Sequence, residues 1–181
     1  MGVIRIPIPV KLFTGLLSPD PALFDACSSV LEKEFGAIDL ESKMLPWDRT
    51  EYYREEMGAG IYRKFIFFRD LIDPAKLAGI KVFTNAVEDR FSEKTPSGTR
   101  RTINLDPGYV TEAKVVLATT KDFSHRVYIG EGIFAEVTLR YGSKERSFTA
   151  CDHTYFDFRT ERYRQLFNQA RTLLREGLNR R

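Results

Sequence analysis

Twice in its first half the chain runs through an apolar stretch, stops at Asp-Pro, and restarts with apolar residues three or four apart. That repeated pattern constrains the fold more than any other feature. The first run is Val10 to Leu17, entered through an arm broken by Pro7 and Pro9 and closed by Ser18-Pro19-Asp20-Pro21. Asp20 can accept a hydrogen bond from a free N–H at a helix start, and Pro21 suits the first helical position, where no N–H is needed. Leu23, Cys27, Val30, Leu31 and Phe35 then line one helix face, and Gly36 can stop the helix by adopting positive φ. The second run, Ile61 to Leu71, is centred on Phe65-Ile66-Phe67-Phe68. Asp73-Pro74 opens a second helix with the stripe Leu77, Ile80, Phe83, Val87 and Phe91.

Between the two units, Ala37 to Leu45 alternates. Ile38, Leu40 and Met44 face one way and Asp39, Glu41 and Lys43 the other, as in a half-buried strand. After the turn-rich Lys94–Arg100 break, Thr102 to Leu105 reads as a fourth strand. The order over residues 1–106 is β-α-β-β-α-β. It predicts an α+β fold of the ferredoxin-like kind, two helices on one face of an antiparallel sheet. Residues 107–181 predict an extension packed on that core within a single domain, 1–181. Asp106-Pro107-Gly108 is expected to turn the chain sharply. Val110, Ala113, Val116 and Leu117 have helical spacing and predict a helix from about Thr111 to Thr120, with a strand as the alternative because of its β-branched content. A β-hairpin, a short strand within Arg146 to Ala150 and a terminal helix complete the extension. Thr160 can cap that helix, and Tyr163, Leu166, Phe167, Ala170 and Leu174 form its apolar face.

The hairpin register can be derived. A two-residue loop, Glu131-Gly132, would pair Gly130 with Ile133 and set Val127 opposite Glu136, mixing apolar and charged side chains on one face. A three-residue loop, Gly130-Glu131-Gly132, pairs Ile129 with Ile133, Val127 with Ala135, Tyr128 with Phe134 and Arg126 with Glu136. The alternation favours the second, with Gly132 left-handed. On an exposed face the Arg126–Glu136 pair would contribute about a few tenths of a kcal/mol.

At 181 residues, with 43% hydrophobic and 13% aromatic residues, the chain can build a core without staples. Its 28 Lys plus Arg against 25 Asp plus Glu leave a net charge of only +3, which does not mark a nucleic-acid binder. Cys27 and Cys151 are far apart and belong to no CxxC pair, as expected of free thiols in a reducing compartment. The start lacks the basic and apolar regions of a signal peptide, and no apolar run approaches the ~20 residues of a membrane span. The expectation is a cytoplasmic protein.

The pieces VKLFTGLL, FGAIDLES, EEMG, LIDP, INLDPGY, LATTKDFSHRVYIGEGIFAEVTLRY and TYFDFRT together resemble a bacterial family, domain of unknown function 4416, some of whose members are labelled GTP-binding proteins. The resemblance spans nearly the whole chain. It implies no established activity. The GTP label finds no P-loop, GxxxxGK[ST], to cradle phosphates. Thr120-Lys121-Asp122 lacks the spacer of a guanine-recognition motif.

Candidate chemistry gathers at the two junctions flanking residues 111–120. Arg101, Asn104, Asp106, Tyr109, Lys114, Thr120, Lys121 and Arg126 combine cations and hydroxyls in a way that suits a small anionic or phosphate-bearing ligand, a nucleotide among them. Under that reading the ligand lies between the sheet and the extension. The enzymatic alternative is metal-assisted chemistry on a phosphate ester, with Asp106, Asp122 and His125 as acid–base or metal-binding groups and Mg²⁺ as the ion. The bland readings compete directly. Asp106 and Asp122 can brace turns, His125 can be a half-buried hydrogen-bonded residue, and Arg126 has Glu136 as a rival partner. A third reading is a protein or RNA interaction module built on an aromatic–acidic loop (Trp47, Asp48, Tyr52, Tyr53, Glu55, Glu56, Met57) and the Arg-bearing last helix. That loop could equally act as a glycine-hinged lid or pack on the sheet. Cys151-Asp152-His153 has three metal-capable side chains but no matching second pair, so no metal site is assigned.

Overall fold

A computed structural model describes residues 2–47, 57–96 and 98–180. The first unit begins with β1 (Val10–Ser18) and α1 (Ala22–Phe35), and Asp20 accepts the amide of Ala22 at 2.9 Å. Next come β2 (Ile38–Glu41), β3 (Leu45–Pro46) and β4 (Tyr62–Ile72). Asp73 caps a 3₁₀ turn that leads into α2 (Leu77–Phe91). Both Asp-Pro signals therefore act as the sequence implies. The aromatic–acidic loop proper, with Asp48, Tyr52, Tyr53, Glu55 and Glu56, lies outside the described residues. The break at 94–100 is a short hairpin, β5 (Glu93–Thr95) and β6 (Gly98–Arg100).

The chain continues through β7 (Asn104–Val110), β8 (Lys114–Thr119), β9 (Val127–Gly130), β10 (Ile133–Gly142) and β11 (Ser147–Ala150), and ends in α3 (Glu161–Asn179). Nine strands form one sheet in the order β11-β10-β8-β7-β1-β4-β2, with β3 on β4 and β9 on β10, and every pairing is antiparallel. On one face, α1 and α2 cover Leu12, Leu16, Ile66 and Phe68. On the other, α3 lays Tyr163, Phe167 and Ala170 over Phe13, Phe65, Phe67 and Leu117. Phe13, Phe65 and Phe67 each meet the Phe167 ring at 5.0–5.6 Å between centroids, edge-on.

Three expectations are corrected. The helix at 111–120 is strand β8. Its Val115 and Leu117 pack under α3 while Val116 and Ala118 pack under α2, so both faces are buried and the apolar run has no period of its own. Asp106-Pro107-Gly108 is no turn but the middle of β7, which runs from Asn104 rather than ending at Leu105. Gly108 is there for space: a Cβ would stand 2.3 Å from the Val116 carbonyl oxygen and 2.6 Å from Phe13 Cζ. Pro107 sits where β8 has already left β7, since that ladder covers only Gly108–Val110. Finally, the hairpin takes part of each register. Ile133 pairs with Gly130 across a two-residue turn with both Glu131 and Gly132 left-handed, and an irregularity at Ile129 restores the Tyr128–Phe134 and Val127–Ala135 pairs.

Candidate functional site

Pairing fixes which residues share a face. Asp106 and Gly108 are two apart on β7, Gly108 pairs with Leu117, and Leu117 pairs with Glu136, so Asp106 and Glu136 project from the α3 face. Just past Glu136, β10 bulges between Val137 and Leu139. A bulge leaves carbonyls off the ladder. The turn after β11 satisfies them: His153 Nε2 donates to the Val137 oxygen at 2.9 Å and the Thr154 hydroxyl to the Thr138 oxygen at 2.5 Å. Arg159 braces that turn through the carbonyls of Thr154 and Asp152, at 2.9 and 2.7 Å.

The folded turn buries Glu136 to 3% exposure. One carboxylate oxygen receives both His125 Nε2 at 3.1 Å and Arg126 Nε at 2.8 Å. Arg126 also donates to the Lys121 carbonyl at 2.9 Å and to the Tyr155 hydroxyl at 2.7 Å. The His125 ring stacks on His153, centroids 4.3 Å apart and planes 18° off parallel, and the Phe123 ring lies 5.3 Å from it. Burial disfavours the charge on Arg126, but its bonds to Glu136 and Tyr155 outweigh that and hold its pKa above the usual value. Burial pushes the Tyr155 hydroxyl up; Arg126 opposes this, and the carboxylates of Glu136 and Asp106 add to it.

Beside this network, Arg63 reaches over Gly15 toward Asp106 (3.4 Å) and Asp157 (3.8 Å), and Trp47 Nε1 donates to Asp157 at 3.4 Å. The family model described as a domain of unknown function (DUF4416) matches residues 8–173. The chain belongs to that family. No curated protein and no solved structure matches it.

In this DUF4416 chain the residues singled out from sequence are dispersed. Asn104, Asp106 and Arg126 come to the α3 face, and His125 joins them. Asn104 accepts from Arg101 at 3.2 Å and carries a buried amide nitrogen with no partner among the described residues. Arg101 also turns toward Glu88, on α2, at 3.3 Å. Tyr109 projects from the opposite face, packed with Leu77 and Val116, and burial raises its pKa. Lys114 opens β8 and Thr120 lies just past its end, so the six-residue strand sets them roughly 17–20 Å apart. Thr120, Lys121 and Asp122 are exposed. The Arg126–Glu136 pair, which the register brings together, has both side chains largely out of solvent. Among the described residues no three His, Cys, Asp or Glu side chains are grouped to hold a metal ion.

Sequence reasoning did not place Glu136, Tyr155, His153, Arg63 or Asp157 in a site. The one usable signal was the Arg126–Glu136 register. Nothing local tells that the 151–155 turn folds over it.

Proposed function

We propose that this chain is a cytoplasmic small-molecule-binding protein whose ligand lies on the α3 face, and that His125 moves a proton on that ligand. One observation carries this. A buried carboxylate, Glu136, holds Nε2 of a partly exposed histidine, which leaves Nδ1 as the atom able to take and return a proton. Asp106 and Tyr155 supply orientation beside it. The nearby cations, Arg63 and Arg126, are already bridged to Asp106, Asp157 and Glu136, so a charged ligand of either sign has to open one of those pairs. Phosphate-ester chemistry with Asp106, Asp122 and His125 then needs Asp122 to approach from the exposed loop. The strand order β7-β1-β4-β2 with α1 and α2 on one face supports a ferredoxin-like reading of the first half, with the site completed by β10 and the turn beyond β11.

A second reading keeps the anionic ligand and moves it. A cavity of about 320 Å³ opens between the start of α1 and the β5–β6 hairpin, walled by Asp20, Leu23, Arg100, Arg101 and Thr102. Its size suits a small ligand. The two readings separate in a thermal-stability screen of amines, nucleotides and phosphorylated metabolites, with and without Mg²⁺. A ligand of the α3-face site should stabilise the wild type, and lose most of that effect in Asp106→Asn and Glu136→Gln. A ligand of the cavity should lose it in Arg101→Ala alone. A compound that stabilises all of these equally sinks both.

A further inference from the structure

The sheet's edges are not equally protected. A bare strand edge invites another strand, and soluble proteins block such edges. On β2 the outward amide of Ile38 is taken by Glu32 at 2.9 Å, and on β11 that of Phe148 by Asn168 at 3.1 Å. The outer edge of β9 has no such cap among the described residues. It also carries no charge, and its Val127 and Tyr128 are 68% and 60% exposed. Phe123 and Tyr155, which contact His125 and Arg126 just before it, are exposed as well.

In the middle of the sheet, the arm that leads into β1 is unpaired among the described residues. Ile4, Ile6 and Ile8 are 99%, 93% and 69% exposed, and the arm pairs with no strand among the described residues. Alternation puts the three isoleucines on one face and their amides on one edge. The opposite edge holds Pro7 and Pro9, which have no N–H. The arm can therefore add to a strand edge on one side and cannot be extended on the other.

We infer that the arm of one copy of this chain, Ile4–Ile8, pairs with the outer edge of β9 in a second copy. The arm's own β9 is out of reach. It lies four strand spacings across from β1 and about five residues along, roughly 25 Å from Val10. At about 3.4 Å per residue that distance consumes the whole arm and leaves nothing to pair. A second copy removes the constraint, and two such contacts close a symmetric dimer.

Analytical ultracentrifugation of the full chain from low to high micromolar concentration tests this. The wild type should self-associate. Ile6→Pro removes an amide from the pairing edge, and Val127→Lys places a charge on β9; each should weaken association at least about tenfold. Both positions are exposed, and circular dichroism checks that the fold persists. The double variant should be no weaker than the worse single one, because both remove the same contact. A monomer at every concentration, or association that either variant leaves unchanged, overturns the proposal.

Discussion

Two buried glutamates, one on each side of the sheet, are held in opposite ways. Glu88, on α2, accepts the Leu105 amide at 2.7 Å, while Lys81 from the same helix donates to the Leu105 carbonyl at 2.7 Å. Arg101 closes the group at 3.3 Å. The pair thus clamps both backbone groups of one β7 residue and ties helix to sheet. Glu136 is held instead by side chains, those of His125, Arg126 and Thr138, reached from a loop and from its own strand. A carboxylate satisfied by backbone is a brace. One held by a partly exposed ring on a loop can reorganise when a ligand arrives, and the function proposed for the α3 face rests on that difference.

Removing the brace should cost most. Glu88→Ala strands the Leu105 amide and leaves the buried Lys81 without its counter-charge, and urea denaturation should show a loss of about 3–5 kcal/mol. Gly108→Ala tests the seam between the two faces, since its methyl would overlap Val116 and Phe13; a loss of about 2–3 kcal/mol is expected. Glu136→Gln should be milder, about 1–2 kcal/mol, because Arg126 keeps the Lys121 carbonyl and Tyr155. If Glu136→Gln destabilises as much as Glu88→Ala, the contrast between brace and site fails.

Acidity sharpens the same contrast. Burial raises the Glu88 pKa above its ordinary 4.5, with Lys81 and Arg101 opposing. The folded state then binds that proton more tightly than the unfolded one. Its contribution to stability is largest below 4.5, declines as pH rises through the raised folded value, and is constant above it. Subtracting the Glu88→Gln stability curve from wild type should reveal this decline; a difference rising with pH would contradict it.

The smallest effect is chemical. Burial pushes Cys27, on the buried face of α1, up to about 12, whereas Cys151 is half-buried in the turn beside Glu136. A thiol reagent at neutral pH should modify Cys151 in the native protein and Cys27 only on unfolding.

Much of the first half was legible because its signals are local. Asp20 and Asp73 cap turns within two residues of themselves, and each helix stripe keeps to one face. β8 was less so. A strand buried on both faces shows no alternation, and Ala113, Val116 and Leu117 then imitate a helix. The Asp-Pro-Gly at 106–108 imitates a turn, although Gly108 answers to the Phe13 ring across the sheet. The site was least legible. Arg126 and Glu136 were read as partners from register alone, but the burial that distinguishes them comes from His153, Thr154 and Tyr155, far along the chain.

Nitrogen NMR of the His125 ring tests the central claim most directly. At a pH where the ring is neutral, the proton should reside on Nε2 in the wild type, because that atom faces Glu136, and this preference should weaken in Glu136→Gln. A proton on Nδ1, or a tautomer balance indifferent to Glu136, would contradict the account.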